Sequence, residues 1–421
     1  MPLIGIALAL VAVQVSTAWS FGSDVLRDNG DTMQQRVVTW ARDHRLGWVV
    51  DRAEEYLYST PPSRTPAARL SLGDHVAPRS AGPHRPSTSA PPTTPPRATI
   101  AAPSTTAAAT TAVPTAGPPS TTAPAGTVPT TAPPPPPWAP APIAPVVDPP
   151  LDGEGQWQPI AAASGATAVW ATSLRPLAAY PSVTASVALF DTTNLRAGLF
   201  NGSEIPGGRG WQRGNRVPDD LQGSLVAAFN GGFRLEHIKG GYETEGRVVR
   251  PLLDGEATLA ISRTGQITIG ELGRDLTDDG TWLSLRQNLP LMVDGGTSQV
   301  ANHSGVWWGA DYRNKIYVTR SAVCLTAEGH LLYATVGPVD APMMADALVD
   351  IGCVRAMQLD INGQWPTFVT YDTNSDGSRQ GVFLDRRMGG DANRYLTGSS
   401  REFVALFDAS MVPTPSALDG P

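Results

Sequence analysis

Val226-Ala227-Ala228-Phe229-Asn230-Gly231-Gly232-Phe233-Arg234 and, further along, Val354-Arg355-Ala356-Met357-Gln358-Leu359-Asp360-Ile361-Asn362-Gly363 carry the plainest structural signal in the chain. Each is an apolar run of strand length that stops at a polar side chain, Asn230 or Asp360, with glycine close behind. A strand end beside glycine lets side chains and bare backbone approach a ligand closely. Two such ends in one domain make a site there plausible.

Working outward, short strand-like segments dominate. Val183 to Phe190 alternates apolar with small residues. Ala257 to Ile261 and Gln266 to Ile269 flank Arg263-Thr264-Gly265 as a hairpin, and Ile316 to Leu325 pairs with His330 to Val336 across Ala327-Glu328-Gly329. One helix is expected over Ala341 to Ile351: Met343, Met344, Ala347, Leu348 and Ile351 recur at helical spacing, with Asp340 or Pro342 opening it and Gly352 closing it. Many strands and few helices predict a single α+β domain around a mixed, mainly antiparallel sheet.

The 421 residues are unevenly composed. Residues 59–150 are rich in Pro, Thr, Ala and Ser and cannot bury enough apolar surface to offset chain entropy, so they read as an extended linker or an O-glycosylated stalk. The globular domain is therefore expected at 151–412, with a tail at 413–421. At the other end, residues 1–19 are almost uncharged and apolar over roughly membrane-spanning length. They lack the Lys/Arg of an ordinary signal and a good small-x-small site, which favours an uncleaved membrane anchor over a secretion signal. Residues 20–58 include two short amphipathic helices broken at Gly47, whose apolar side (Trp40, Leu46, Val49, Val50, Leu57) packs on another segment or lies on the membrane. The expected location is extracytoplasmic, membrane-anchored or secreted. In that setting Cys324 and Cys353, the only cysteines, favour a disulfide over two free thiols. A net charge of −7 with no basic stripe argues against nucleic acid.

The two strand ends also resemble the phosphodiester glycosidase (uncovering-enzyme-like) family. Its Asn-Gly-Gly-Phe matches Asn230-Gly231-Gly232-Phe233, its Arg before a small-residue strand matches Arg320 in Val318-Thr319-Arg320-Ser321-Ala322-Val323, and its strand closing in Leu-Asp matches Leu359-Asp360. Where the family commonly follows that Asp with glycines and a serine, this chain has Ile361-Asn362-Gly363, similar to an actinobacterial-type branch reading Leu-Asp-Ile-Asn. The resemblance implies a hydrolase of sugar-phosphate diesters in an envelope glycan or related glycoconjugate. The alternative is a non-catalytic glycan-binding surface protein of the same fold, and a third reading is a stalk that merely presents the domain.

Cleaving a sugar-1-phosphodiester requires stabilising a leaving group, activating water and holding phosphate. Carboxylates serve the first two tasks, arginine forks and glycine-rich amides the third. Asp360 is the candidate acid, base or nucleophile, against a strand cap. Arg320 is the candidate phosphate clamp, against a buried ion pair with Asp360 or Glu245. Asn230, with the Gly231 and Gly232 amides, is the candidate pocket-shaping turn, against an ordinary Asn-Gly turn. Arg234, His237, Glu245 and Asn362 are candidate substrate contacts. Glu243 and Glu245, two apart, are expected on one strand face, and His303 with Trp307-Trp308 as a sugar-stacking wall or core. Asp294-Gly295-Gly296-Thr297-Ser298 is expected to be a hairpin tip, the main rival to Asp360. Asp372-Thr373-Asn374-Ser375-Asp376-Gly377 opens like a calcium loop but lacks the closing acid, so no cofactor is expected and calcium is a minor alternative. No HExxH, P-loop, dinucleotide fingerprint or GxSxG elbow is present.

Overall fold

A computed structural model describes residues 19–26, 31–75, 139–304, 306, 308–309 and 316–419. Residues 1–18 of the expected anchor and 76–138 of the expected linker lie outside them. Among the described residues no helix is long and apolar enough to cross a membrane.

The α+β expectation holds. Thr184–Phe190, Leu331–Val339, Val318–Thr326 and Cys353–Ile361 run side by side within an eight-stranded antiparallel sheet. A five-stranded sheet places Leu225–Asn230 between Phe368–Thr373 and Phe403–Asp408. A second five-stranded sheet contains the Ala257–Ser262/Ile267–Glu271 hairpin and Trp282–Gln287. Their buried faces meet in one core, where Phe190, Phe229, Phe368 and Tyr333 pack with ring centroids 5.2–6.3 Å apart. Aromatic pairs at such spacings add to the area they bury.

The helix Ala341–Ile351 forms where expected. Asp340 accepts from the Met343 amide at 3.0 Å, and Gly352 closes the helix at φ 105°, a left-handed position that favours glycine. Cys324 and Cys353 are joined in a disulfide linking neighbouring strands. Asp294 sits at the Val293–Asp294/Thr297–Ser298 hairpin tip, ion-paired to Arg274 at 2.8 Å, and takes no part in the cavity described below.

The domain boundaries differ from those read in the sequence. The compact unit takes in chain from both sides of the Pro/Thr-rich segment. Met33–Asp43 and Gly47–Tyr58 form a helical hairpin. After it, the Tyr317 amide donates to the Tyr58 carbonyl (2.9 Å), Ala67 to Pro181 (2.9 Å) and Gly73 to Leu384 (2.7 Å). Residues 59–75 thus belong to the domain: these amides find backbone acceptors there, despite a linker-like composition. The tail is packed too, with Leu418 fully buried and the Ala417 carbonyl accepting from Arg213.

Candidate active site

The end of Leu225–Asn230 and the start of Phe403–Asp408 are neighbours, Asn230 opposite Phe403. This brings Arg401 and Glu402 beside the Asn-Gly-Gly turn. Asp360 arrives from the eight-stranded sheet. Polar contacts join the two sheets here: Asn230 Nδ2 donates to Ser321 Oγ (3.2 Å), and Ser321 Oγ donates to the Asp360 carbonyl (2.9 Å). Asn288 ties in the glycine turn, accepting from the Phe233 amide (3.0 Å) and donating to the Gln358 and Leu359 carbonyls.

A cavity of about 290 Å³ opens in front of this junction. Asp360, Asn362, Trp365 and Arg401 line it, together with Phe233, Arg234, Glu236 and His237. The helical hairpin contributes a further wall, including Arg42, Asp51, Glu54 and Tyr58. Behind Asp360 lies a recess of about 10 Å³ shared by Asn230, Gly231, Asp360, Arg401 and Glu402. That is the size of a single water.

Asp360 is buried, and its Oδ1 accepts from the Ile361 amide at 2.8 Å while Oδ2 is ion-paired to Arg401. Burial pushes its carboxyl up to about 6, against the pull of the Arg401 guanidinium. Arg401 is fixed by lying on the Trp365 ring, 3.5 Å from its centroid. Glu402 is held differently: its Oε1 accepts from Arg286 Nε (2.9 Å) and Nη2 (2.6 Å). Its Oε2 is buried without a hydrogen-bond partner. Gly231 is required by this packing, since a Cβ there would lie 2.6 Å from Glu402 Cγ.

The remaining candidates divide. Asn230 is at the site, but its side chain is committed: Oδ1 accepts from Tyr333 Oη and the Thr367 amide, both at 2.9 Å. It braces the turn and leaves no free amide for a ligand. Arg320 does not reach the cavity. It is fully buried and donates to the carbonyls of Val339, Trp308 and Ile316 and to Gln358 Oε1, so the expected phosphate clamp is corrected, as is the expected ion pair. Burial lowers its guanidinium to about 10. Arg401, not Arg320, lines the cavity beside Asp360.

Glu245 is also elsewhere. It leaves the strand Tyr242–Thr244 at φ 54° and accepts from the Gln212 and Arg213 amides at 2.8 Å each, so it does not share a strand face with Glu243. Arg234 and His237 do line the cavity. Arg234 is ion-paired to Asp43 of the hairpin at 3.1 Å and to Glu236, and burial lowers the His237 imidazole. Asn362 sits at φ 68°, where the resembled family has glycine, and Asn tolerates that conformation best among side-chain-bearing residues. It donates to Glu54 Oε1 at 3.0 Å. Trp308 is fully buried, which excludes it from a sugar-stacking wall, and Trp307 lies outside the described residues. Asp376 turns back on Ser378, and no group of three metal-ligating side chains occurs among the described residues.

Arg401, Glu402, Trp365 and Glu54 were not anticipated. The available signal for the first two was a charged pair immediately before the apolar strand Phe403–Asp408, the same polar-at-strand-end pattern as Asn230 and Asp360.

The fold is a mainly antiparallel α+β domain with two buried carboxylates beside one cavity. Residues 223–379 match the model of the phosphodiester glycosidase family. Arg401 and Glu402 lie beyond the matched stretch. No curated protein matches the chain. Among solved structures it is similar to the catalytic domain of zebrafish N-acetylglucosamine-1-phosphodiester alpha-N-acetylglucosaminidase, auto-inhibited by its pro-peptide: 17% identity, 59% of this chain and 87% of that one, TM-score 0.39. It is also similar to a hypothetical protein from Synechocystis: 9% identity, 58% and 63%, TM-score 0.39.

Proposed function

We propose that the protein is a cell-surface hydrolase that cleaves a sugar-phosphate diester in an envelope glycan or related glycoconjugate, releasing sugar and phosphomonoester. The observation that carries this reading is the pairing of two buried carboxylates in different environments across a water-sized recess. Asp360 is raised toward neutrality, while Glu402 is gripped by Arg286. A buried carboxyl beside a second one that keeps one oxygen unbonded is an arrangement that can divide acid and base roles.

In this mechanism Glu402 Oε2 takes a proton from the water that attacks the sugar C1. The C1–O bond breaks, and Asp360 delivers its proton to the departing phosphate oxygen. Arg401, in charge-assisted contact with Asp360, neutralises the charge that develops on the phosphate. His237 and Arg234 face the same cavity and orient the sugar or the phosphate's other substituent. The apolar N-terminal stretch supports a membrane-tethered, extracytoplasmic setting.

The Asp360–Arg401 ion pair equally suits a binding module that holds a glycan phosphate without turnover. Incubation with a synthetic sugar-1-phosphodiester separates the two. Release of phosphomonoester that is lost in Asp360→Asn and in Glu402→Gln supports the hydrolase. Saturable binding without release in the wild type contradicts it.

A further inference from the structure

The hairpin helix Gly47–Tyr58 is oriented against the usual rule. Its polar residues Asp51, Glu54 and Tyr58 line the cavity, whereas Trp48, Val49, Tyr56 and Leu57 on the outer side are 45–84% exposed. At 100° per residue, positions 48, 49, 52 and 56 share one face, 57 lies at its edge, and 51, 54 and 58 take the opposite one. The neighbouring turn of chain adds Trp19 and Leu26, 80% and 74% exposed. Of the fourteen large apolar side chains exposed among the described residues, ten fall between 19 and 57. Concentration of that kind on one segment marks an interaction surface rather than scattered surface hydrophobics.

We propose that this outer face of the hairpin lies on a lipid bilayer, at the boundary between headgroups and acyl chains. The inference rests on the membrane-tethered setting proposed above and specifies how the domain sits there. Three observations select lipid as the occupant. The apolar stretch Leu3–Val13 ends only a few residues before the helical residues 19–26, so any bilayer holding it is close by. Those helical residues pack on the hairpin, with Phe21 edge-on to Trp40 at 4.9 Å and Trp40 Nε1 donating to Ser20 Oγ at 3.2 Å. The long Pro/Thr-rich segment follows the hairpin in sequence, so it does not separate the hairpin from the apolar stretch. The composition also fits, because Trp and Tyr with exposed Arg45 and Arg52 near them, the latter ion-paired to Glu55, suit the interfacial zone, ring inward and charge at the headgroups.

The two native cysteines are paired in the disulfide, which permits single-site labelling. An environment-sensitive fluorophore is placed in the full chain at Trp48→Cys, Leu57→Cys or, as a control on an exposed strand of the body, Val248→Cys. Each chain is reconstituted into phosphatidylcholine/phosphatidylglycerol vesicles. The proposal expects labels at 48 and 57 to be shielded from iodide in the aqueous phase and quenched several-fold more than the 248 label by nitroxide-bearing lipid. Iodide quenching at 48 and 57 equal to that at 248 overturns it. Shielding from both quenchers also overturns it, showing that a second copy or another segment of this chain covers the face. Failure of the chain to float with vesicles removes the membrane altogether. Hydrolysis of a soluble sugar-1-phosphodiester, followed on the same samples, is independent of these outcomes, so the docking and the chemistry fail separately.

Discussion

Asp360 and Arg320 show why residue type and position do not fix a role. Both stand near strand ends in motifs of similar appearance, yet Asp360 faces a cavity and Arg320 spends its donors on backbone carbonyls. The sequence could not separate them, because the deciding fact is which face of a twisted sheet each side chain meets. Arg320→Lys keeps the charge but loses the planar fork, so it should lower unfolding free energy by about 2–3 kcal/mol in denaturant titration with KM unchanged. Arg401→Lys should do the reverse, raising KM or lowering kcat while leaving stability nearly intact. Asp360 also predicts a pH-dependent stability. Its carboxyl is raised from 3.8 to about 6, so the folded state binds the proton more tightly than the unfolded chain. The group's contribution is therefore fully present at low pH and is lost as pH rises through about 6. Between pH 4 and pH 6 the unfolding free energy of Asp360→Asn should rise relative to wild type by up to about 3 kcal/mol.

Among elements, those built on local chemistry were legible. The helix Ala341–Ile351 announced itself through Asp340, Pro342 and Gly352, and the hairpins through their turn residues. The first hairpin helix begins at Met33, where Thr32 and Gln35 form a reciprocal cap that the sequence pattern does contain. What local pattern could not supply was partnership between distant strands. Arg401 and Glu402 become site residues only because Phe403–Asp408 pairs with Leu225–Asn230. The same dependence makes Gly231 sensitive: Gly231→Ala should displace Glu402 and reduce kcat by about 10²-fold or more with a small change in melting temperature. The disulfide closes a separation of 29 residues, so the double variant Cys324→Ala/Cys353→Ala should lose about 3–4 kcal/mol of unfolding free energy.

For the whole molecule, composition misplaced the boundaries of the domain. A Pro/Thr-rich run reads as a spacer between modules, but the chain before it supplies a wall of the cavity and an edge to the core. The chain on both sides of the run belongs to one compact unit, with a measurable consequence. Shortening residues 76–138 by half should raise the unfolding free energy by about 0.6 kcal/mol, the entropy of closing a shorter loop, where a spacer between independent modules would leave it unchanged. The claim on which the account turns is that Asp360 acts as a proton donor at this cavity. The pH profile of kcat/KM for release of phosphomonoester from a sugar-1-phosphodiester tests it most directly. With Asp360 as the donor, the rate falls as pH rises through about 6, and that limb is absent in Asp360→Asn. A rate that stays level from pH 5 to pH 8, unaltered by Asp360→Asn, would contradict it.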